Sequence, residues 1–234
     1  MNVPERIVPD DTEPGIVALH LKRYEFARPH CRNRDVLDAG CGVGYGSAFL
    51  AAEARRVVGV DLDGEAIEYA VRRYGSANVE FAVGDLQRLD AADESFDVVC
   101  AFETIEHLPE PERFVSEARR VLRPGGLLFA STPRADGASH SPFHEREFSP
   151  AEFERLLADR FSSVELLGQH RRQTARHRLL QRLDVLALRK RLPFLRGVGR
   201  VVTGTPAMAD VSSDDVEISA DLERATELIA VCRA

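Results

Sequence analysis

The segment FETIEHLPEPE (102–112) places Glu103, Glu106 and His107 at i, i+3 and i+4. On one helical turn these side chains would share a face. A second histidine follows in FHEREFSP (143–150), where His144 stands between Phe143 and Glu145. These groups allow three kinds of chemistry. As ligands, Glu103, Glu106, His107 and His144 would hold a divalent metal that contacts an acceptor hydroxyl and lowers its pKa. The mixed nitrogen and oxygen donors suit Mn²⁺, Co²⁺, Fe²⁺ or Zn²⁺ better than Mg²⁺, which favours all-oxygen sites. As a base without metal, His107 or His144 would take the hydroxyl proton directly. As structural groups, Glu106 and His107 would cap or pair with their neighbours.

Upstream, VLDAGCGVGYGS (36–47) puts Asp38 at the end of an apolar run, followed by Gly40, Gly42 and Gly44 at alternate positions. Glycines there let the backbone turn tightly and approach a ligand with no Cβ in the way. Counting six positions from Gly40, Gly42 or Gly44 arrives at Tyr45, Ser47 or Phe49, so the dinucleotide fingerprint is not met. Asp61 ends the next apolar run, about 20 residues past the loop, where a carboxylate accepts from both ribose hydroxyls. Asp85 ends the third, in VGDL, where a carboxylate can accept from an adenine amino group. Each aspartate alone is readable as a helix cap. The series in order points to a nucleoside-bearing ligand beyond the carboxyl ends of the strands.

The elements that must position these groups alternate along the chain. Short apolar runs occur at 35–40, 56–61, 79–85, 96–102, 127–132 and 164–169, each rich in Val, Leu or Phe, as strands buried on both faces should be. Between them lie helical stretches. In PEPERFVSEARRVL, residues Phe114, Ala118, Val121 and Leu122 share a face, Pro111 suits the first turn, and Pro124-Gly125-Gly126 ends the helix. Ser149 with Glu152 forms a capping box for the next helix. Alternating strands and helices imply right-handed crossovers and a mostly parallel sheet. Residues 203–219 read as a polar loop, and ELIAVCR (227–233) as a last strand after a detour.

The 234 residues suffice for one domain with a full core. No apolar run approaches the ~20 residues that span a bilayer. The polar, Pro-rich N-terminus lacks the basic start and apolar stretch of a signal peptide, so the expected compartment is the cytoplasm. Cys31, Cys41, Cys100 and Cys232 form no CxxC pair and are expected to be small buried hydrophobes. The net charge of −7 conceals an asymmetry: residues 171–200 carry ten Lys/Arg against one acid, leaving 21 − 37 = −16 for the rest. The absence of Trp and the negative total argue against nucleic acid as the partner.

With these motifs on the page, the chain resembles the class I S-adenosylmethionine-dependent methyltransferases over about residues 35–170 and the last strand. DAGCGVG is similar to the family's first motif, VVGVDLD to its acidic second, VGDL to its adenine-contact motif and VLRPGG to its post-helix motif. The resemblance implies a Rossmann-like α/β fold: a seven-stranded, mostly parallel sheet whose last strand is antiparallel, with helices on both faces. One domain would cover 1–234, with an N-terminal cap (1–34), the core (35–170), a basic helical insertion or lid (171–219) and the closing strand (220–234). It implies S-adenosylmethionine as cofactor. Asp38 and Gly40, in the loop with Gly42 and Gly44, would line the methionine end and Asp61 would bind ribose. Leu62 would pack on adenine, and Asp85 with Leu86 would frame it. In HLKRYEFA (20–27), Tyr24 would touch the methionine carboxylate from a helix closing over the cofactor, or the helix would simply dock on the sheet edge.

The ExxEH arrangement with its later His resembles small-RNA 3′-terminal 2′-O-methyltransferases, and the EH pair resembles ubiquinone-pathway O-methyltransferases. FHEREFS before an acidic helix is more similar to small-molecule or saccharide methyltransferases. The expected function is methyl transfer to a hydroxyl of a small-molecule or sugar-containing acceptor, with His107 and His144 as catalytic candidates and a metal (Mn, Co, Fe, Zn or Mg) as a possible helper. Two alternatives stand beside it. An RNA 3′-terminal 2′-O-methyltransferase would be retained on RNA with a steep salt dependence. A non-catalytic S-adenosylmethionine-binding protein would bind without turnover. The basic, Leu-rich stretch 171–200 reads as an acceptor lid, a contact in a homodimer as opposed to a monomer, a peripheral membrane helix or a solvated helix.

Overall fold

The computed structural model describes residues 6–135, 141–172, 208 and 211–234. Eight strands form one sheet in the order β3-β2-β1-β4-β5-β8-β6-β7. The parallel half comprises β1 (Asp35–Ala39), β2 (Arg56–Asp61), β3 (Val79–Val83), β4 (Phe96–Phe102) and β5 (Leu122–Pro133). β8 (Glu227–Arg233) runs antiparallel between β5 and β6 (Ser163–Arg171), and β7 (Val216–Ser219) runs antiparallel along the far side of β6. The expected runs of Val, Leu and Phe all became strands. β4 is buried along nearly its whole length, as a strand covered on both faces must be.

The helices divide between the two faces. α1 (Pro14–Ala27) and α2 (Tyr45–Ala51) contribute Tyr24, Ala27 and Leu50 to one core, with Val98, Cys100 and Phe129 of the sheet. α4 (Pro111–Val121) and α5 (Pro150–Ala158) contribute Phe114, Ala118, Phe153 and Leu157 to the other, against Val99, Leu128 and Leu228. α3 (Gly64–Tyr74) buries Ala66, Ile67 and Ala70 and is capped by Asp63, whose side chain accepts from the amides of Glu65 and Ala66. The capping box of Ser149 and Glu152 opens α5 as expected. All four cysteines are buried and free.

Three expectations need correction. The sheet has eight strands, because Val216–Ser219, inside the stretch read as polar loop, pairs with Gly168–Arg171. Four residues with a single buried Val leave almost no period-two pattern to detect. The region assigned to the insertion (171–219) therefore includes the last residue of β6 and all of β7. α4 ends at Val121, ahead of Pro124-Gly125-Gly126, and those residues form a bulge in β5: Phe96 pairs with Leu122 but Val98 with Leu127, and Gly125 takes φ +75°. The basic stretch beyond Arg172 and its proposed uses lie outside the described residues. Among the described residues no helix is long and apolar enough to cross a membrane.

Candidate functional site

The carboxyl ends of β1, β2, β3 and β4 gather most of the residues singled out by sequence. The loop after β1 is tied to β2: the amides of Gly40 and Cys41 both donate to Val60 O (2.8 and 3.1 Å), and Gly42 N donates to Asp61 Oδ2 (2.8 Å). Gly40, Gly42 and Gly44 all have positive φ (+77°, +53° and +86°). Only Gly42 faces open space, with nothing within 4 Å of a Cβ placed there. At Gly40 a Cβ would strike Thr104, and at Gly44 it would strike Ala70 and Phe81. The alternating glycines thus serve two ends: two admit neighbouring side chains, and one leaves the backbone bare.

Asp38 is fully buried beneath this loop. Ser47 Oγ donates to it at 2.6 Å and the Tyr24 hydroxyl at 3.2 Å. Burial outweighs these bonds and raises its pKa to about 6. Asp61 uses its second oxygen to accept from Asp63 N (3.0 Å). Beside it Leu62 is 74% exposed and, across the end of β3, Val83 is 58% exposed. Asp85 is exposed and accepts from Gln87 N (2.9 Å), whereas Leu86 points into the core. Two exposed apolar side chains, Leu62 and Val83, therefore stand next to the acidic strand ends.

A buried polar cluster that the sequence reading missed stands over the ends of β4, β5 and β8. Arg23, on α1, is 2% exposed, and its Nη2 reaches Glu103 Oε1 at 3.5 Å and Glu227 Oε2 at 3.9 Å. Its Nε and Nη1 have no partner among the described residues. Burial raises the pKa of Glu227, against the pull of Arg23. One turn earlier on α1, His20 Nδ1 lies 2.7 Å from the Tyr45 hydroxyl. Burial and the Arg23 charge lower the His20 pKa, so the neutral imidazole accepts from the phenol. The available signal was Arg23's position next to Tyr24 on a helix expected to face the sheet.

On the other side of the strand ends, residues Ile105–His107 form a single 3₁₀ turn. Its carbonyl at Glu106 accepts from the amides of Glu145 (2.8 Å) and Arg146 (3.2 Å), which draws the 143–148 segment across. Phe148, fully buried against Phe153, anchors that segment. The result brings Glu106, His107 and His144 together, with one ligand atom from each within 4.8 Å of the others. His107 Nδ1 lies 3.0 Å from Phe143 O, and His144 Nδ1 lies 3.1 Å from Glu147 Oε1. In both contacts the partner oxygen accepts, so Nδ1 is the donating nitrogen of each ring. The Glu106 carboxylate is 1% exposed, and neither oxygen has a hydrogen-bond partner among the described residues. Burial, with the nearby Glu103 charge, raises its pKa well above the carboxylate range; the neighbouring Thr132 hydroxyl opposes the shift without itself meeting hydrogen-bond geometry.

Glu103 does not join this group. It precedes the 3₁₀ turn with φ +50°, so the α-helical i, i+3, i+4 relation fails. Its amide donates to Ser131, and its Oε1 accepts from Ser131 Oγ (2.8 Å) and faces Arg23. Of the four residues expected as ligands, Glu106, His107 and His144 stand together and Glu103 stands apart.

Residues 37–130 match a family described as a methyltransferase domain. The chain is 42% identical over 172 residues to a probable S-adenosylmethionine-dependent methyltransferase of Mycobacterium tuberculosis (strain H37Rv), covering 70% of this chain and 62% of the relative. It is 33% identical over 154 residues to a fatty-acid O-methyltransferase of Mycolicibacterium smegmatis, covering 65% of this chain and 52% of that protein. The matches thus span less than two thirds of the length of these relatives. A solved S-adenosylmethionine-dependent methyltransferase from Thermotoga maritima, a possible histamine N-methyltransferase, shares the fold with a TM-score of 0.66 at 17% identity, covering 94% of this chain and 91% of that one. Over its core the chain is thus similar to S-adenosylmethionine-dependent methyltransferases, and it shares a Rossmann-like fold with the Thermotoga protein, built here on a mixed, eight-stranded sheet.

Proposed function

We propose that the chain transfers the methyl group of S-adenosylmethionine to a hydroxyl oxygen of a small-molecule or sugar-containing acceptor, with a divalent metal held by Glu106, His107 and His144. The observation that carries the metal is Glu106: a buried carboxylate with neither oxygen partnered among the described residues, beside two imidazoles whose Nδ1 atoms are already engaged. A buried carboxylate in that state must either keep a proton or meet a cation. Two nitrogens and one carboxylate fit Mn²⁺, Co²⁺, Fe²⁺ or Zn²⁺. Such an ion would lower the pKa of an acceptor hydroxyl. The similarity to a fatty-acid O-methyltransferase supports oxygen as the accepting atom.

In this reading the cofactor lies along the carboxyl ends of β1 to β4. Asp61 accepts from the ribose, and adenine packs on the exposed Leu62 and Val83, with Asp85 and the backbone at Leu86 beside it. The bare backbone at Gly42, held by the turns at Gly40 and Gly44, admits the nucleoside. Asp38, Tyr24 and Arg23 close the methionine end, where Nε and Nη1 of Arg23, without a partner among the described residues, suit a carboxylate. Methyl transfer breaks the carbon–sulfur bond, forms the carbon–oxygen bond and releases the hydroxyl proton. The chain's own contribution is alignment of that oxygen behind the methyl group, and the proton leaves to solvent; in a metal-free site Nε2 of His107 would instead be the nitrogen that takes it.

The test incubates the chain with methyl-labelled S-adenosylmethionine, Mn²⁺ and a panel of diols, saccharides and fatty acids. Chelation, His107→Ala and His144→Ala should each abolish transfer while leaving S-adenosylhomocysteine affinity within about threefold of wild type. Transfer that survives chelation and both substitutions would sink the metal and the histidines together.

A further inference from the structure

The chain ahead of α1 has both ends fixed at the carboxyl edge of the sheet. Arg6 Nη1 lies 2.5 Å from Asp63 Oδ2, just beyond β2. Gly15 packs so closely on Met208 and Val211, just ahead of β7, that a Cβ there would overlap the Met208 carbonyl. In the sheet, β1, β4, β5, β8 and β6 stand between those two points. Residues 6–14 link those two points, and Asp10 comes near enough to Tyr74, the last residue of α3, to raise its pKa. A turn stiffens this strap: Asp11 N donates to Val8 O (2.9 Å), and Val8 N donates to the Thr12 hydroxyl (3.1 Å).

Asp63 is more than an anchor. Its Oδ1 caps α3, its amide donates to Asp61 Oδ1, and Asp61 Oδ2 in turn holds Gly42 N. The Arg6 guanidinium thus sits two links from the bare glycine backbone, and its side chain is 12% exposed although it belongs to an N-terminal segment. Burial drives the Cys41 thiol upward and the Arg6 charge opposes it, which places that charge within reach of the glycine loop.

We propose that Arg6 is a positioning residue for the nucleoside end of the site: its ion pair with Asp63 fixes the Asp61–Asp63 turn and latches the N-terminal strap to the end of β2, so that the cofactor leaves more slowly while the latch is closed. The inference rests on the cofactor reading above. A part-buried pair of this kind holds a segment closed by only a few-fold in equilibrium, as a gate needs, and it weakens with salt.

The test is dissociation of labelled S-adenosylhomocysteine from the full chain after dilution into unlabelled ligand, for wild type, Arg6→Gln and Arg6→Lys. Arg6→Gln should release about three- to fivefold faster. Arg6→Lys should stay near wild type. High salt should accelerate wild type towards the Arg6→Gln rate and leave Arg6→Gln unchanged. Release from Arg6→Gln at the wild-type rate overturns the latch. Faster release from both variants, together with a lower melting temperature without cofactor, assigns Arg6 a merely structural role and overturns it as well. Wild-type protein that retains no S-adenosylhomocysteine overturns the cofactor reading beneath it, and the latch with it.

Discussion

Replacing Glu106 with Gln separates a metal ligand from a structural carboxylate, because the two readings predict opposite signs. The side chain keeps its shape and loses its charge. In metal-free protein the carboxylate is buried with no hydrogen-bond partner among the described residues, and burial raises its pKa. A group whose folded pKa is raised stabilises the native state below its unfolded pKa and loses that contribution as pH rises through the folded value. Wild-type stability should therefore fall, relative to Glu106→Gln, as pH rises above about 4.3, the unfolded glutamate value. At pH 8 and without metal the variant should be as stable as wild type or more so. With metal the order reverses. At a free Mn²⁺ concentration of 100 times Kd, a site present only in the native state adds about 2.7 kcal/mol. For a chain of this size each kcal/mol is worth about 2–4 °C, so Tm should rise by roughly 5–10 °C.

Scanning calorimetry at pH 6 and pH 8, with Mn²⁺ or with chelator, reads all four states. The expected pattern is a metal-dependent rise in wild type, none in Glu106→Gln, and a variant at least as stable as wild type when both are metal-free. The reasoning is refuted if Glu106→Gln loses more than about 1 kcal/mol in chelator, the cost of a broken hydrogen bond. That result would mean the carboxylate is held by neighbours such as Thr132. An equal Mn²⁺ shift in both proteins would place the ion elsewhere.

Asp38, at about 6, should make S-adenosylhomocysteine binding pH-dependent: if the ligand's ammonium favours the ionised form, affinity rises up to about tenfold per unit towards pH 6 and then levels, which calorimetric titration between pH 5 and 7.5 would show. Tyr24→Phe removes the hydroxyl that donates to Asp38 and should move this break to higher pH while costing about 1 kcal/mol in urea denaturation; an unmoved break would remove Asp38 from the titration. Gly44→Ala, at φ +86° and 2.7 Å from Ala70 and Phe81, should cost about 2–4 kcal/mol of stability. Gly42→Ala, facing open space at φ +53°, should cost about 1–2 kcal/mol and lose affinity for S-adenosylhomocysteine beyond that; unchanged affinity would show that no ligand approaches its backbone.

The parallel half of the sheet was legible because its strands are buried on both faces and so read as unbroken apolar runs; β2 and β4 fall on the expected residues, 56–61 and 96–102. β7 was not legible, since a four-residue edge strand is fixed by the ladder that β6 offers and not by its own pattern. The acidic strand ends were readable for the same reason as the strands: Asp38, Asp61 and Asp85 each stand where an apolar run stops.

The cluster proposed for the acceptor side was legible in the residues that meet there but not in its geometry. Glu106, His107 and His144 were identified from residue type, and they meet because Glu106 O binds the amides of Glu145 and Arg146, a contact between segments far apart in sequence. Glu103 was assigned to them by helical spacing, yet a left-handed φ at the end of β4 turns it to Ser131 and Arg23. That one dihedral divides the carboxylates between two jobs. Glu106 stays on the side of the histidines, where its oxygens, without a partner among the described residues, suit the proposed cation. Glu103 faces the buried guanidinium whose remaining donors call for an anion. A sulfonium cofactor with a carboxylate tail and a metal-assisted acceptor would satisfy both demands across the end of a single strand.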